Sequence, residues 1–140
     1  MRFNYGNKVY GYVIMPNHIH VLLEISDSSP IISKLIQNAK RFLAYQIITL
    51  LKQDKKEEIL NVFANQAQVN KKAQHKVFAD RYDSKFVADL DFFNEKLNYI
   101  HNNPCQAKWQ LAKLPEQYPH SSASNYYLGK GYYDIDIMTS

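Results

Sequence analysis

A chain of 140 residues can bury one real core but is too short for two independent ones, so a single domain spanning residues 1–140 is expected. A net charge of +4 is compatible with a polyanionic partner without requiring one. No apolar run approaches the roughly 18 residues of a membrane span, no secretory signal is visible, and the lone Cys105 has no internal disulfide partner. These features lead us to expect a cytoplasmic protein.

In chain order, residues 8–14 (KVYGYVI) and 18–25 (HIHVLLEI) read as two strands, joined by Met15-Pro16-Asn17 with its Pro-Asn turn chemistry. Side chains alternate faces along a strand, so His18 and His20 share one face. Ile19, Val21, Leu23 and Ile25 take the other, which is expected to be the core face. Two neutral imidazoles one strand repeat apart can both reach a single divalent ion, provided a third polar group approaches from another element.

Ser26 to Pro30 form a polar break. After it, Ile32, Leu35, Ile36, Ala39, Leu43, Ile47, Leu50 and Leu51 recur at helical spacing, predicting an amphipathic helix over 31–52. Lys34, Lys40 and Arg41 lie off that stripe. Residues 53–76 are polar and weakly periodic, consistent with a short helix and a connection. Residues 77–87 (VFADRYDSKFV) read as a further strand, with Arg81 and Lys85 on one face.

Residues 89–103 open with acidic side chains suited to a helix N-terminus and end at Pro104, predicting a second helix. Leu90, Phe93, Leu97 and Ile100 form its apolar stripe. Tyr99 lies about 200° around from Leu97, away from the core, with Asn103 one turn further on. The tail from Lys108 has no sustained period and reads as irregular, packed by its aromatics and Trp109. The 11 Tyr and 7 Phe suit ordinary packing, and those near Lys or Arg also suit stacking on unpaired bases.

With these elements placed, three motifs stand in order: MPNHIHVLLE at 15–24, YIHNNP at 99–104 and YPHSSASNYY at 118–127. The chain resembles the single-tyrosine HUH transposases, closest to the REP-associated tyrosine transposase branch, over most of residues 8–127, with 128–140 a tail. His18-Ile19-His20 corresponds to the His-hydrophobe-His word that names the family.

The resemblance implies an α+β, ferredoxin-like fold of the HUH endonuclease type: an antiparallel sheet with the 31–52 and 89–103 helices on one face. It also implies a DNA-transposition enzyme that cleaves and rejoins single-stranded or hairpin DNA through a 5′-phosphotyrosine, using Mg²⁺ or Mn²⁺. On this chain Tyr99 would be the nucleophile, His18 and His20 the metal-binding pair and Asn103 the third ligand. Lys34, Lys40, Arg41 and Arg81 then become candidates for DNA backbone contacts.

Two departures from the family pattern bear on this reading. His120 stands where the family commonly has Trp, and the family usually has a strand and helix ahead of the Val9 segment, where only Met1 to Asn7 precede it here. A gap beside the histidine strand would be filled by a second copy, making a homodimer, or would leave a catalytically inactive hairpin nucleic-acid-binding relative. A structural metal site on an unrelated α+β protein is the third reading, and whether Tyr99 serves its own chain or a partner stays open at this point.

Overall fold

The two extended runs rich in Val, Ile, Leu and Tyr pair with each other in the computed structural model, which describes residues 5–68 and 74–138. β1 (Lys8–Ile14) and β2 (Ile19–Glu24) form a two-stranded antiparallel sheet. The Met15 N–H donates to the His18 carbonyl oxygen at 2.8 Å, closing a two-residue Pro16-Asn17 loop. Val13 stands opposite His20 and Gly11 opposite Leu22, with an irregularity between Val9 and Gly11 that leaves Tyr10 as an extra residue. Helices α1 (Ile32–Gln53), α2 (Glu57–Gln68), α3 (Leu90–Asn102) and α4 (Ala123–Leu128) complete an α+β chain. It divides into two compact units, one made of the chain up to Ser29 and from Phe86 onward, the other of Pro30–Lys85.

In the first unit α3 starts where Asp89, in extended backbone, accepts the Phe92 N–H on its carboxylate at 2.8 Å. Phe93, Leu97 and Ile100 bury one stripe of α3 against Tyr10, Val13, Met15 and Leu22 of the hairpin. Gly11 permits a close approach, since an added Cβ there would lie 2.6 Å from Leu97 Cδ1. His101 is buried on the same helix, its Nε2 2.9 Å from Ser122 Oγ. Ser122 also accepts the Tyr12 N–H on its hydroxyl and donates its own N–H to the Tyr12 carbonyl, both at 2.9 Å. One serine thereby ties β1, α3 and the chain entering α4.

The remaining C-terminal chain follows the edge of β1 that β2 leaves open. The Ile14 N–H donates to the His120 carbonyl, the Tyr118 and Tyr126 hydroxyls donate to the Ile14 and Tyr10 carbonyls, and the Asp136 N–H donates to the Val9 carbonyl. Val13 forms a bridge with Ser121.

In the second unit α1 packs with α2, and Leu35, Leu60 and Ala67 are buried. The Lys76 N–H donates to the Phe63 carbonyl, and the Lys40 ammonium donates to the Ala79 and Arg81 carbonyls at 2.7 and 3.1 Å. Among the described residues no helix is long and apolar enough to cross a membrane.

Four expectations need correction. The strand expected over 77–87 is irregular backbone, because its carbonyls at Ala79 and Arg81 are held by Lys40 instead of a neighbouring strand. On β2 the buried residue is Leu22, on the histidine face, whereas Ile19 and Val21 are 44% and 46% exposed: α3 covers the even-numbered face. The 31–52 helix is α1 of the second unit, where it packs with α2, and within the first unit the histidine face of the sheet is covered by α3. Leu43, Leu50 and Leu90 are exposed, so the apolar stripes expected on both helices are narrower than their spacing implied, and His101 joins the buried face of α3. The tail is not irregular throughout, since it contains α4; Trp109, Tyr118 and Tyr126 pack it on the core as expected, and hydrogen bonds to β1 hold it as well. Part of the polar stretch 53–76, residues 69–73, lies outside the described residues.

Two outcomes follow from this packing. Gly11→Val should destabilise the protein by about 1–3 kcal/mol, because Leu97 must leave its place; a thermal melt reads this as a drop of several degrees. Burial lowers the His101 pKa from the ordinary 6.5 to about 4, so the unfolded chain binds the extra proton between those values. Stability from this residue is complete above about pH 6.5 and is lost as the pH falls to about 4, by up to about 3 kcal/mol. A His101→Gln protein should show a flatter acid limb in urea melts across that window.

Candidate active site

The hairpin loop sets the register of the site. His18 follows the turn directly and His20 comes one alternation later, and both side chains lie on the face that meets α3. Their ring centroids are 4.8 Å apart and both residues are half-buried. Imidazoles at that separation can direct one nitrogen each toward a common ion at about 2.0–2.1 Å. His18 Nδ1 lies 2.6 Å from Asn17 Oδ1. A hydrogen bond donated by Nδ1–H to that amide oxygen leaves the lone pair on Nε2, the tautomer a metal needs.

Tyr99 arrives from α3. Its ring centroid is 5.4 Å from that of His20 in an edge arrangement, and the residue is 46% exposed, so its ring is open to solvent beside the imidazoles. The approach is made within one chain. Sequence position separates Tyr99 from His20 by most of the protein, and the contact exists because Gly11 admits Leu97, two residues earlier on the helix.

Asn103 sits one turn beyond Tyr99, in the short 3-10 turn Asn103–Cys105 that follows α3. It is fully buried, and neither its Oδ1 nor its Nδ2 has a hydrogen-bond partner among the described residues. An orphaned buried amide costs about 1–3 kcal/mol. Such a group fits a ligand that completes its coordination. Among the described residues no hydrogen bond joins Asn103 to either histidine; ring contacts bring together His18, His20 and Tyr99, and Asn103 is placed by its helical offset from Tyr99. Among the described residues no three His, Cys, Asp or Glu side chains cluster, so a metal here would rest on two imidazoles and an amide oxygen.

Both histidines are held below the ordinary imidazole pKa, His18 by burial and then Lys108, His20 by burial, then His18 and Lys108. Neutral imidazoles are the metal-binding form. Lys108 and Trp109 are two site residues that sequence reasoning did not assign to it. The Trp109 ring lies 5.6 Å from His18, its Nε1 is buried without a partner among the described residues, and the Lys108 ammonium lies 5.6 Å from the Trp109 ring centroid. Their proximity to the YIHNNP motif in sequence was the available signal. Lys34, Lys40, Arg41 and Arg81 all belong to the second unit. Lys40 is engaged by backbone carbonyls, while Arg41 and Arg81 are exposed.

Compared with family models, curated proteins and solved structures, the chain matches none of them.

Replacing Asn103 separates a packing role from a ligand role. Asn103→Leu removes an unsatisfied buried amide, so the melting temperature in chelator should be unchanged or a few degrees higher. If His18, His20 and Asn103 hold a metal, Mn²⁺ should raise the melting temperature, and that rise should shrink in Asn103→Leu and vanish in His18→Ala/His20→Ala.

Proposed function

We propose that this chain is a metal-dependent single-stranded DNA endonuclease and strand transferase of the single-tyrosine HUH transposase type, acting in DNA transposition. The observation that carries this reading is the Tyr99 ring standing 5.4 Å from His20 within the same chain, with His18 adjacent. The two-stranded sheet with α3 on its histidine face is read as part of a ferredoxin-like HUH fold.

His18, His20 and the Asn103 amide oxygen would hold the ion. A bound Mg²⁺ or Mn²⁺ would supply Lewis-acid neutralisation of charge building on the scissile phosphate. The Tyr99 phenol oxygen attacks phosphorus as the bond to the 3′-oxygen breaks, and the phenolic proton ends on the released 3′-hydroxyl. The product is a 5′-phosphotyrosine and a free 3′ end. Because the phosphotyrosine is a diester, the same or another 3′-hydroxyl can displace Tyr99 and rejoin the strand without ATP. Exposure of Tyr99 suits a nucleophile that must meet a macromolecular substrate. Lys108, positioned near both imidazoles, adds positive charge where a phosphate would sit.

A second reading, a hairpin-binding relative that does not cut, draws on the small donor set and on the outer edge of β2, which has no strand partner among the described residues. The two separate in one experiment. Incubated with hairpin-flanked single-stranded DNA and Mn²⁺, the protein should form a covalent adduct resistant to denaturing gel electrophoresis. Tyr99→Phe should form none while binding the DNA with similar affinity. Adduct formation by Tyr99→Phe would remove Tyr99 from the chemistry, and absence of adduct from the unaltered protein would favour the binder.

A further inference from the structure

After α3 the chain turns back on itself. The Trp109 and Gln110 N–H groups both donate to the Gln106 carbonyl, at 2.8 and 3.0 Å, and the Leu111 N–H donates to the Pro104 carbonyl at 2.9 Å. Gln110 completes the turn at φ +49°, in the left-handed region, and its side-chain amide donates to the Ala107 carbonyl at 2.8 Å. A residue with a Cβ stays in that conformation only where the surrounding bonds over-determine it. The turn delivers Trp109, the only tryptophan in the chain, to His18, with 5.6 Å between ring centroids and 45° between ring planes.

Three contacts bound the His18 imidazole. Its Nδ1 lies 2.6 Å from Asn17 Oδ1, the His20 ring stands 4.8 Å away at 80°, and the Trp109 ring closes the third approach. Asn17 and His20 belong to the same hairpin and move with His18, so of these three only Trp109 fixes the ring against another segment. Trp109 is itself seated: it packs on the core made by Tyr10, Val13, Met15 and Phe93, and the Lys108 ammonium lies 5.6 Å from its ring centroid. Its Nε1 is buried without a partner among the described residues. An aliphatic side chain would fill that space with no orphaned donor, so packing alone does not account for an aromatic ring here.

We propose that Trp109 is a positioning residue for the metal-binding pair: its ring, set by the turn after α3, holds the His18 imidazole in the orientation that leaves Nε2 to the ion. Trp109 acts through His18 and donates nothing to the ion itself. The proposal rests on the reading of His18 and His20 as metal ligands and adds to it the residue that orders them. Groups that orient a ligand in this way commonly set metal affinity by about 10–100-fold.

The test is calorimetric titration of Mn²⁺ into the full chain and into its Trp109→Leu and Trp109→Phe variants. Affinity should fall about tenfold or more in Trp109→Leu and return most of the way in Trp109→Phe, which keeps an aromatic face. Melts in EDTA report the packing lost in each variant, and a positioning role requires affinity to follow the aromatic face and not the melting temperature. A second readout needs no metal: in EDTA the nuclear magnetic resonances of the His18 ring protons, which lie beside the indole, should move in Trp109→Phe, and they carry the test should Trp109→Leu fail to fold. Unchanged Mn²⁺ affinity in a folded Trp109→Leu protein, or His18 resonances unmoved by Trp109→Phe, would overturn the proposal and leave the metal reading standing. Absence of Mn²⁺ binding by the unaltered protein would overturn both.

Discussion

The close approach of α3 to the hairpin is the constraint on which the rest of the first unit depends. It is possible because Gly11 has no side chain where Leu97 lies against the sheet. With Leu97 seated, the helix turn that follows carries Tyr99 to the rim of the histidine face and Ile100 and His101 into the interior. A contact between apolar groups therefore sets the position of a polar one two residues away. Ser122 reinforces the arrangement by bonding to β1 through both its hydroxyl and its backbone while standing beside His101.

That geometry places charge and polarity where they are costly. The Asn103 amide and the Trp109 indole N–H are buried without partners among the described residues, and burial, with Lys108 adding to it, lowers the pKa of both imidazoles. An interior arranged only for stability would satisfy those groups or replace them with apolar ones. Their place after the end of α3 and at the hairpin turn sets this corner of the molecule apart from the apolar core made by Phe93, Val13 and Met15, although Asn7, Tyr12 and Asn125 also bury polar atoms without partners among the described residues. The second unit presents a different chemistry, with cations and exposed aromatics on a helix and the segment tied to it, and among its described residues no buried polar centre of comparable kind.

Sequence reasoning located the hairpin, α1 and α3 to within a residue or two, because each is written in local chemistry: Pro16-Asn17 for the turn, Asp89 for a helix start, Pro104 for a helix end. It went astray where a residue's environment comes from a distant partner. Alternation along β2 correctly grouped His18 with His20 but could not say which face would meet a helix, and the wrong one was chosen. Residues 77–87 have strand composition, yet extended chain becomes sheet only beside another strand, and Lys40 takes the carbonyls first. The burial of His101 follows its place four residues after Leu97 on the apolar side of α3, and a reading by hydrophobicity missed it because the ring is polar.

By itself the sequence determined the periodicities, the helix ends, the shared face of the two imidazoles and the outward set of Tyr99 relative to Leu97. All of these follow from backbone geometry over a few residues. The tertiary structure decided that Tyr99 reaches His20 in its own chain, that Asn103 is buried and unpaired, that Trp109 stands against His18, and that α1 packs with α2. Those outcomes depend on packing between segments tens of residues apart, where the winning contact is chosen by shape and burial across the whole unit.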